Sequence, residues 1–256
     1  MFECISYLKL TVPQQPTKKE EIIISSLDLP EERFVSMQQK QNENKIALNE
    51  IVAINVKDKE FELLMNIYKK ASDEVLNLLN GIKNEYEKMY EHSIINHITN
   101  RLKSEQSIIN KMKKKNLEMN YMTLVDNIND IAGIRVISST KDDVYTMVKI
   151  IEKIPNWRII KAKDYIKKPK KSGYSGYHII VAVPVIIHEN GKEKQIHVKV
   201  EIQLRTMAMD FWATNEHKMK YKTNKKLSFF DSTKLAVYAR ILNMLDNGFS
   251  RIARKK

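Results

Sequence analysis

A chain of 256 residues with 43% hydrophobic content buries one good core plus a helical appendage, so several independent domains are not required. The single cysteine, Cys4, excludes an internal disulfide framework and any cysteine-cluster zinc site, as suits a reducing, cytoplasmic compartment. The formal net charge of +13 asks for an anionic partner, whether nucleotide, nucleic acid or acidic surface; no stretch approaches the ~18–20 apolar residues that span a bilayer, and none reads as an export signal.

Residues 1–55 mix Pro13, Pro16 and Pro30 with Gln, Asn and charges and keep no period, which reads as a variable leader. From Phe61 the apolar positions Leu64, Met65, Tyr68, Ala71, Val75, Leu78, Leu79, Ile82, Tyr86 and Met89 recur at three- and four-residue steps, the stripe of one long amphipathic helix. His97 to Lys103 alternates, with Ile98 and Leu102 on one side and Arg101 and Lys103 on the other, as a short strand would. Ser104 then caps a helix from Glu105 to about Lys115 that buries Ile108, Ile109 and Met112 and carries Ser107 and Lys111 on its other face. Strands rich in Ile and Val follow at 134–138, 157–162, 177–187 and 195–204, with a helix over 142–154 between the first two. Asn190-Gly191 supplies the positive φ of a tight turn and makes the last two strands an antiparallel hairpin. Helical spacing returns over 206–221 and 232–252. The sum is an α+β fold: a mixed, largely antiparallel sheet flanked by helices.

The glycines build neither a Gly-x-x-x-x-Gly-Lys-Ser/Thr loop nor a Gly-x-Gly-x-x-Gly turn, so any phosphates must be held by basic side chains. Arg101, Lys103 and Lys111 with Ser107 are the candidates, because a strand running into a helix start gathers three cations and a hydroxyl around one anion. Lysine runs such as Lys113 to Lys115, Lys167-Lys168 and Lys225-Lys226 read, one at a time, as solvated faces. Two acids stand apart: Asp130, entering an apolar strand, and Glu201, inside another. Such carboxylates ordinarily meet solvent or a lysine; equally, they are the hard oxygen ligands of a Mg²⁺ ion that also touches substrate phosphates.

The stretch Asp130-Ile131-Ala132-Gly133-Ile134-Arg135 resembles the signature of RelA/SpoT-type synthetases, and further blocks follow in that family's order. They are Lys163-Asp164-Tyr165-Ile166, the run from Pro169 to His178, Glu201-Ile202-Gln203-Leu204-Arg205-Thr206, and Trp212 to His217, with Arg101, Lys103, Ser107 and Lys111 upstream. The resemblance covers roughly residues 60 to 222 and is closest to small stand-alone alarmone synthetases. It implies a nucleotidyltransferase-like domain at 56–222, with a C-terminal helical extension at 223–256 as an oligomer contact. It also implies transfer of pyrophosphate from ATP to the 3′-hydroxyl of GTP or GDP, with AMP leaving. Arg101, Lys103, Ser107, Lys111 and Arg135 would hold ATP, and Lys163, Lys170, Tyr174, His178 and Gln203 the acceptor, with Tyr174 as the purine platform. Asp130 and Glu201 would bind Mg²⁺ and, with Arg101, form the catalytic set.

Two departures bear on the acceptor: Ser172 stands where many relatives carry Asn, and Gly176 where Ser is frequent, which leaves GTP and GDP both open. No His-Asp dipeptide occurs, so the expectation is synthesis without hydrolysis. Trp157, Trp212 and His217 read as structural, with Met207, Met209 and Phe211 in the same core. Small relatives commonly form homotetramers, and Leu235, Val237, Ile241, Leu242 and Leu245, with the long helix from Phe61, would supply the contact. An RNA-binding module is the alternative from a different class, and a toxin-like transferase acting on another nucleotide or a tRNA end is a third; nucleic acid is compatible with the charge but not required.

Overall fold

The computed structural model describes residues 59–189, 192–223 and 228–254. The expected leader, the Asn190-Gly191 turn and Lys225-Lys226 therefore lie outside the described residues. Helix α1 (Lys59–Tyr90) is followed by β1 (His97–Leu102), α2 (Glu105–Lys114), α3 (Tyr121–Asn127), β2 (Ala132–Ser138), α4 (Lys141–Ile151), β3 (Arg158–Asp164), β4 (Tyr177–Glu189), β5 (Lys192–Thr206), α5 (Met207–Thr223) and α6 (Phe229–Ala253). The strands form one sheet in the order β1-β2-β5-β4-β3. Only β2 and β5 run parallel, so the sheet is mixed and largely antiparallel, as the pattern predicts.

The stripe of α1 behaves as its spacing requires: Leu64, Tyr68, Ala71, Val75, Leu79 and Ile82 are buried, while Met89 at the helix end is exposed. They pack against the apolar rows of the sheet, where Ile134, Val136, Ile179, Val181, Val200, Ile202 and Leu204 are all but inaccessible. Each such side chain contributes ~1.5–3 kcal/mol by leaving water. The parallel step from β2 to β5 needs a crossover, and α4 opens it with a capping box in which Thr140 and Asp143 satisfy each other's backbone donors.

Helix α3 was not anticipated, because seven residues show too little period to separate from a loop. It forms because the Asn120 side chain accepts from the Thr123 N–H at 2.7 Å. At its other end the ammonium of buried Lys199 donates to the carbonyls of Val125 and Asp126, satisfying a helix C-terminus. That arrangement fixes the chain leading into Asp130.

Helix α5 corrects the expected Met/Phe/Trp core. Met209 and Trp212 are buried, but Met207 and Phe211 are 53% and 63% exposed, because two pairs two residues apart cannot share one helix face. The apolar residues of α6 also divide. Leu235 is buried against Trp212 with Leu242 beside it, whereas Val237, Ile241 and Leu245 face outward with Tyr238, Met244, Phe249 and Ile252.

Candidate active site

Strand register alone carries most of the candidate residues to one side of the sheet. Cross-strand pairing aligns Arg101 with Gly133, Gly133 with Glu201, Glu201 with Ile180, and Ile180 with Lys161. The next rung on the same face aligns Thr99, Arg135, Gln203, His178 and Lys163. In the three central strands alternation turns the intervening Ile134, Ile179 and Ile202 into the core and these outward, while the edge strands β1 and β3 stay largely exposed. Gly133 leaves the first rung open, since a Cβ there would meet nothing nearer than 3.8 Å.

Two cavities open on this face. One, of about 240 Å³, is lined by Thr99, Asn100, Arg101, Arg135, Arg205 and His217. The other, of about 350 Å³, is lined by Lys111, Lys115, Lys161, Lys163, Tyr165, Lys170 and His178. Asp130, Glu201 and Gln203 line both. A pair of carboxylates with an amide thus forms the wall between an arginine-lined and a lysine-lined chamber.

Both acids are held as anions. Burial works to raise the Asp130 carboxyl, but the ammonium groups of Lys111 at 2.7 Å and Lys103 at 3.0 Å outweigh it and keep the group below its ordinary value. Burial likewise pushes Glu201 up, and His178 together with an amide N–H from Gln203 brings it below the usual range. Arg205 ties the first chamber to the shared wall and to the Tyr174 loop: it donates to Gln203 Oε1, to Tyr174 Oη and to Asp210, each at 2.9 Å. Arg135 lies 3.5 Å from the same Asp210 carboxylate.

Tyr174 sits on a loop whose shape is set locally. The Asp164 carboxylate accepts from the N–H groups of Ile166 and Lys167, closing an Asx turn, and the Tyr165 N–H reaches the Gly176 carbonyl. Asp164, flanked by candidate residues, is therefore a loop staple. The Tyr174 hydroxyl bonds His178 Nε2, and its ring meets Tyr165 and His178 edge to face at 5.9 and 5.6 Å. Lys170 Nζ stands 4.6 Å over both tyrosine rings.

Of the residues anticipated, Arg101 and Arg135 line the first chamber, Lys111, Lys163, Lys170 and His178 the second, and Asp130, Glu201 and Gln203 both. Lys103, Ser107 and Tyr174 line neither. Lys103 grips Asp130, Ser107 shares a hydrogen bond with Ser104, and Tyr174 backs His178. His217, expected in the core, is an exposed residue of the first chamber. Arg205, Tyr165 and Lys161 were not selected. The two-residue period shared by Lys161 with Lys163, and by Arg205 with Gln203 and Glu201, is the signal that carries two of them.

A family model described as the region found in RelA / SpoT proteins matches residues 100–226. Over 191 residues the chain is 39% identical to the GTP pyrophosphokinase YwaC of Bacillus subtilis, covering 75% of this chain and 88% of that protein. This chain belongs to the RelA/SpoT family. Among solved structures, this RelA/SpoT-family chain is similar to small alarmone synthetase 1 from Bacillus subtilis bound to its product pppGpp, with a TM-score of 0.70 and 32% identity over 77% of this chain and 98% of that one. The same enzyme bound to AMPCPP matches with a TM-score of 0.64 and 30% identity, at 77% and 98% coverage.

Proposed function

We infer that the chain is a GTP pyrophosphokinase, moving the β,γ-pyrophosphate of ATP to the 3′-hydroxyl of GTP or GDP. The observation that carries this reading is the shared wall of Asp130, Glu201 and Gln203 between two cationic chambers. A transfer between two nucleotides needs two anion sites meeting at one reacting phosphorus, and this sheet face supplies that arrangement. The similarity to enzymes that bear the name GTP pyrophosphokinase supports the same chemistry.

In this reading Arg101, Arg135 and Arg205 face the donor nucleotide, and Lys103, Lys111 and Ser107 bring its phosphates toward Asp130. Lys163, Lys170 and His178 hold the acceptor and its phosphates. Tyr165 and Tyr174 offer aromatic faces for guanine once Lys170 swings from their rings to a phosphate. The 3′-oxygen forms a bond to the β-phosphorus as the bond from that phosphorus to the bridging oxygen of AMP breaks. Glu201, held ionised, accepts the hydroxyl proton, and Arg101 with the lysines stabilises the charge spreading over the transferred group.

The donor set also suits Mg²⁺. Asp130 and Glu201 present hard oxygens on both chambers and stay ionised, while among the described residues no cluster of three or more acidic, His or Cys side chains closes a cage. Asp130 and Glu201 would hold such an ion, which would supply positive charge opposite the pyrophosphoryl group.

Assembly as a homotetramer and residence in the cytoplasm complete the proposal. Outward Tyr238, Met244, Phe249 and Ile252 on α6 support the first, and among the described residues no helix is long and apolar enough to cross a membrane. The test is to incubate pure protein with labelled ATP, Mg²⁺ and GTP, GDP or tRNA. AMP release with label on the guanine nucleotide is the expected result. Label on tRNA alone, or none transferred, sinks the reading.

A further inference from the structure

We propose that helix α6 is a positioning element for the acceptor nucleotide, acting through the turn that carries Lys170 and Tyr174. This rests on the acceptor role inferred for that loop.

Backbone of the loop lies directly on the helix. Gly173 has φ of +94° and donates to the Lys170 carbonyl at 2.8 Å. A Cβ at Gly173 would come within 2.5 Å of the Ala239 Cβ and 3.4 Å of Trp212, so neither position has room for a larger side chain. Trp212 is itself pinned to α6, donating from Nε1 to the Leu235 carbonyl at 2.9 Å. Tyr174 packs with Trp212, Leu235, Ala239 and Leu242 in one small apolar cluster. The void beside Gly173, Trp212, Ala239 and Leu242 is about 20 Å³, room for about one water, so the seat has little slack.

The helix is anchored elsewhere. Asp246 accepts from the Thr206 hydroxyl at 2.8 Å, Lys141 reaches Asn243 and Asn247, and Arg254 makes a fork to Asp142. These contacts hold α6 to the end of β5 and the start of α4, so it acts as a fixed bar under the loop. Among the described residues, none of α6 lines either chamber. A change on its inner face therefore meets the acceptor loop first, at Gly173 and Tyr174, and reaches the donor chamber only at second hand, through Trp212 of α5 and the Tyr174–Arg205 bond.

The experiment measures KM for GTP and for ATP separately in the full chain, for wild type, Ala239→Leu and the exposed neighbour Arg240→Ala. Ala239→Leu is expected to raise the GTP KM roughly ten- to hundredfold, the scale of a misplaced binding group, with the ATP KM within about twofold. Arg240→Ala should match wild type. An equal rise in both KM values, or no rise in either, overturns the proposal. Should Ala239→Leu fail to fold by circular dichroism, Leu242→Ala, which only empties space, is judged by the same split. Wild type that transfers nothing to GTP defeats the underlying reading; active wild type without the split defeats this inference alone.

Discussion

His178 Nδ1 lies 3.0 Å from Glu201 Oε1, although the strand register pairs His178 with Gln203 and Glu201 with Ile180. The contact is diagonal, and it makes His178 a link: its other nitrogen meets the Tyr174 hydroxyl, which accepts from Arg205. Arg205 donates to the Tyr174 oxygen, and that oxygen also lies within hydrogen-bond reach of His178 Nε2, so an unbroken line of contacts runs from Arg205 through Tyr174 and His178 to Glu201. The loop and the carboxylate are thereby joined through one histidine.

Glu201→Gln keeps the shape but loses the anion. Transfer should fall by at least roughly a hundredfold while circular dichroism and thermal melting stay near wild type. Near-normal turnover in a well-folded variant would remove Glu201 from the chemistry.

Asp130→Asn should affect both activity and stability. It removes the charge between Lys103, 12% exposed, and Lys111, leaving two ammonium groups facing each other. A loss of about 1–3 kcal/mol is expected in denaturant unfolding, together with loss of transfer and a higher Mg²⁺ requirement. A variant with unchanged Mg²⁺ titration would argue against a ligand role.

The pH dependence has a definite sign. Asp130 and Glu201 carry folded pKa values below their ordinary ones, so their contribution to stability is complete above the unfolded value of about 4 and is lost as pH falls through the folded values. Asp246 works the other way. Burial raises its carboxyl despite the Thr206 hydrogen bond and Lys141, so ionising it costs stability as pH rises above its unfolded value. Asp246→Asn, whose oxygen still accepts from Thr206, should therefore flatten the melting-temperature profile between pH 4 and 7. An unchanged profile would show that Asp246 does not titrate in this window.

Two glycines should respond in opposite directions to alanine. At Gly81, inside α1, a Cβ meets nothing within 4 Å, so Gly81→Ala should add about 0.5–1 kcal/mol by helix propensity. Gly173→Ala forces a side chain into left-handed backbone and against Ala239 and should cost about 1–3 kcal/mol. Urea unfolding of both variants reads the contrast directly.

Much of the catalytic face is legible in the chain because its information is periodic. Arg101 with Thr99, Gly133 with Arg135, Glu201 with Gln203, and Lys161 with Lys163 are spaced two apart, and a strand turns such pairs to one side whatever surrounds them. The long stripe of α1 and the mixed α+β sheet follow from the same local rule. Short α3 escapes it, and so does exposed His217 of α5, whose place in the first chamber is set by strands distant in sequence.

What the sequence determined by itself is the strands and the longer helices, the apolar stripe of α1, and the ordered motifs that mark the family. Only the tertiary structure decided that Asp130 and Glu201 share a wall between two chambers, that Arg205 reaches the Tyr174 hydroxyl, and that α6 underlies the Tyr174 turn. Those relationships join residues tens of positions apart, and their distances come from strand order and helix packing, which no local pattern encodes.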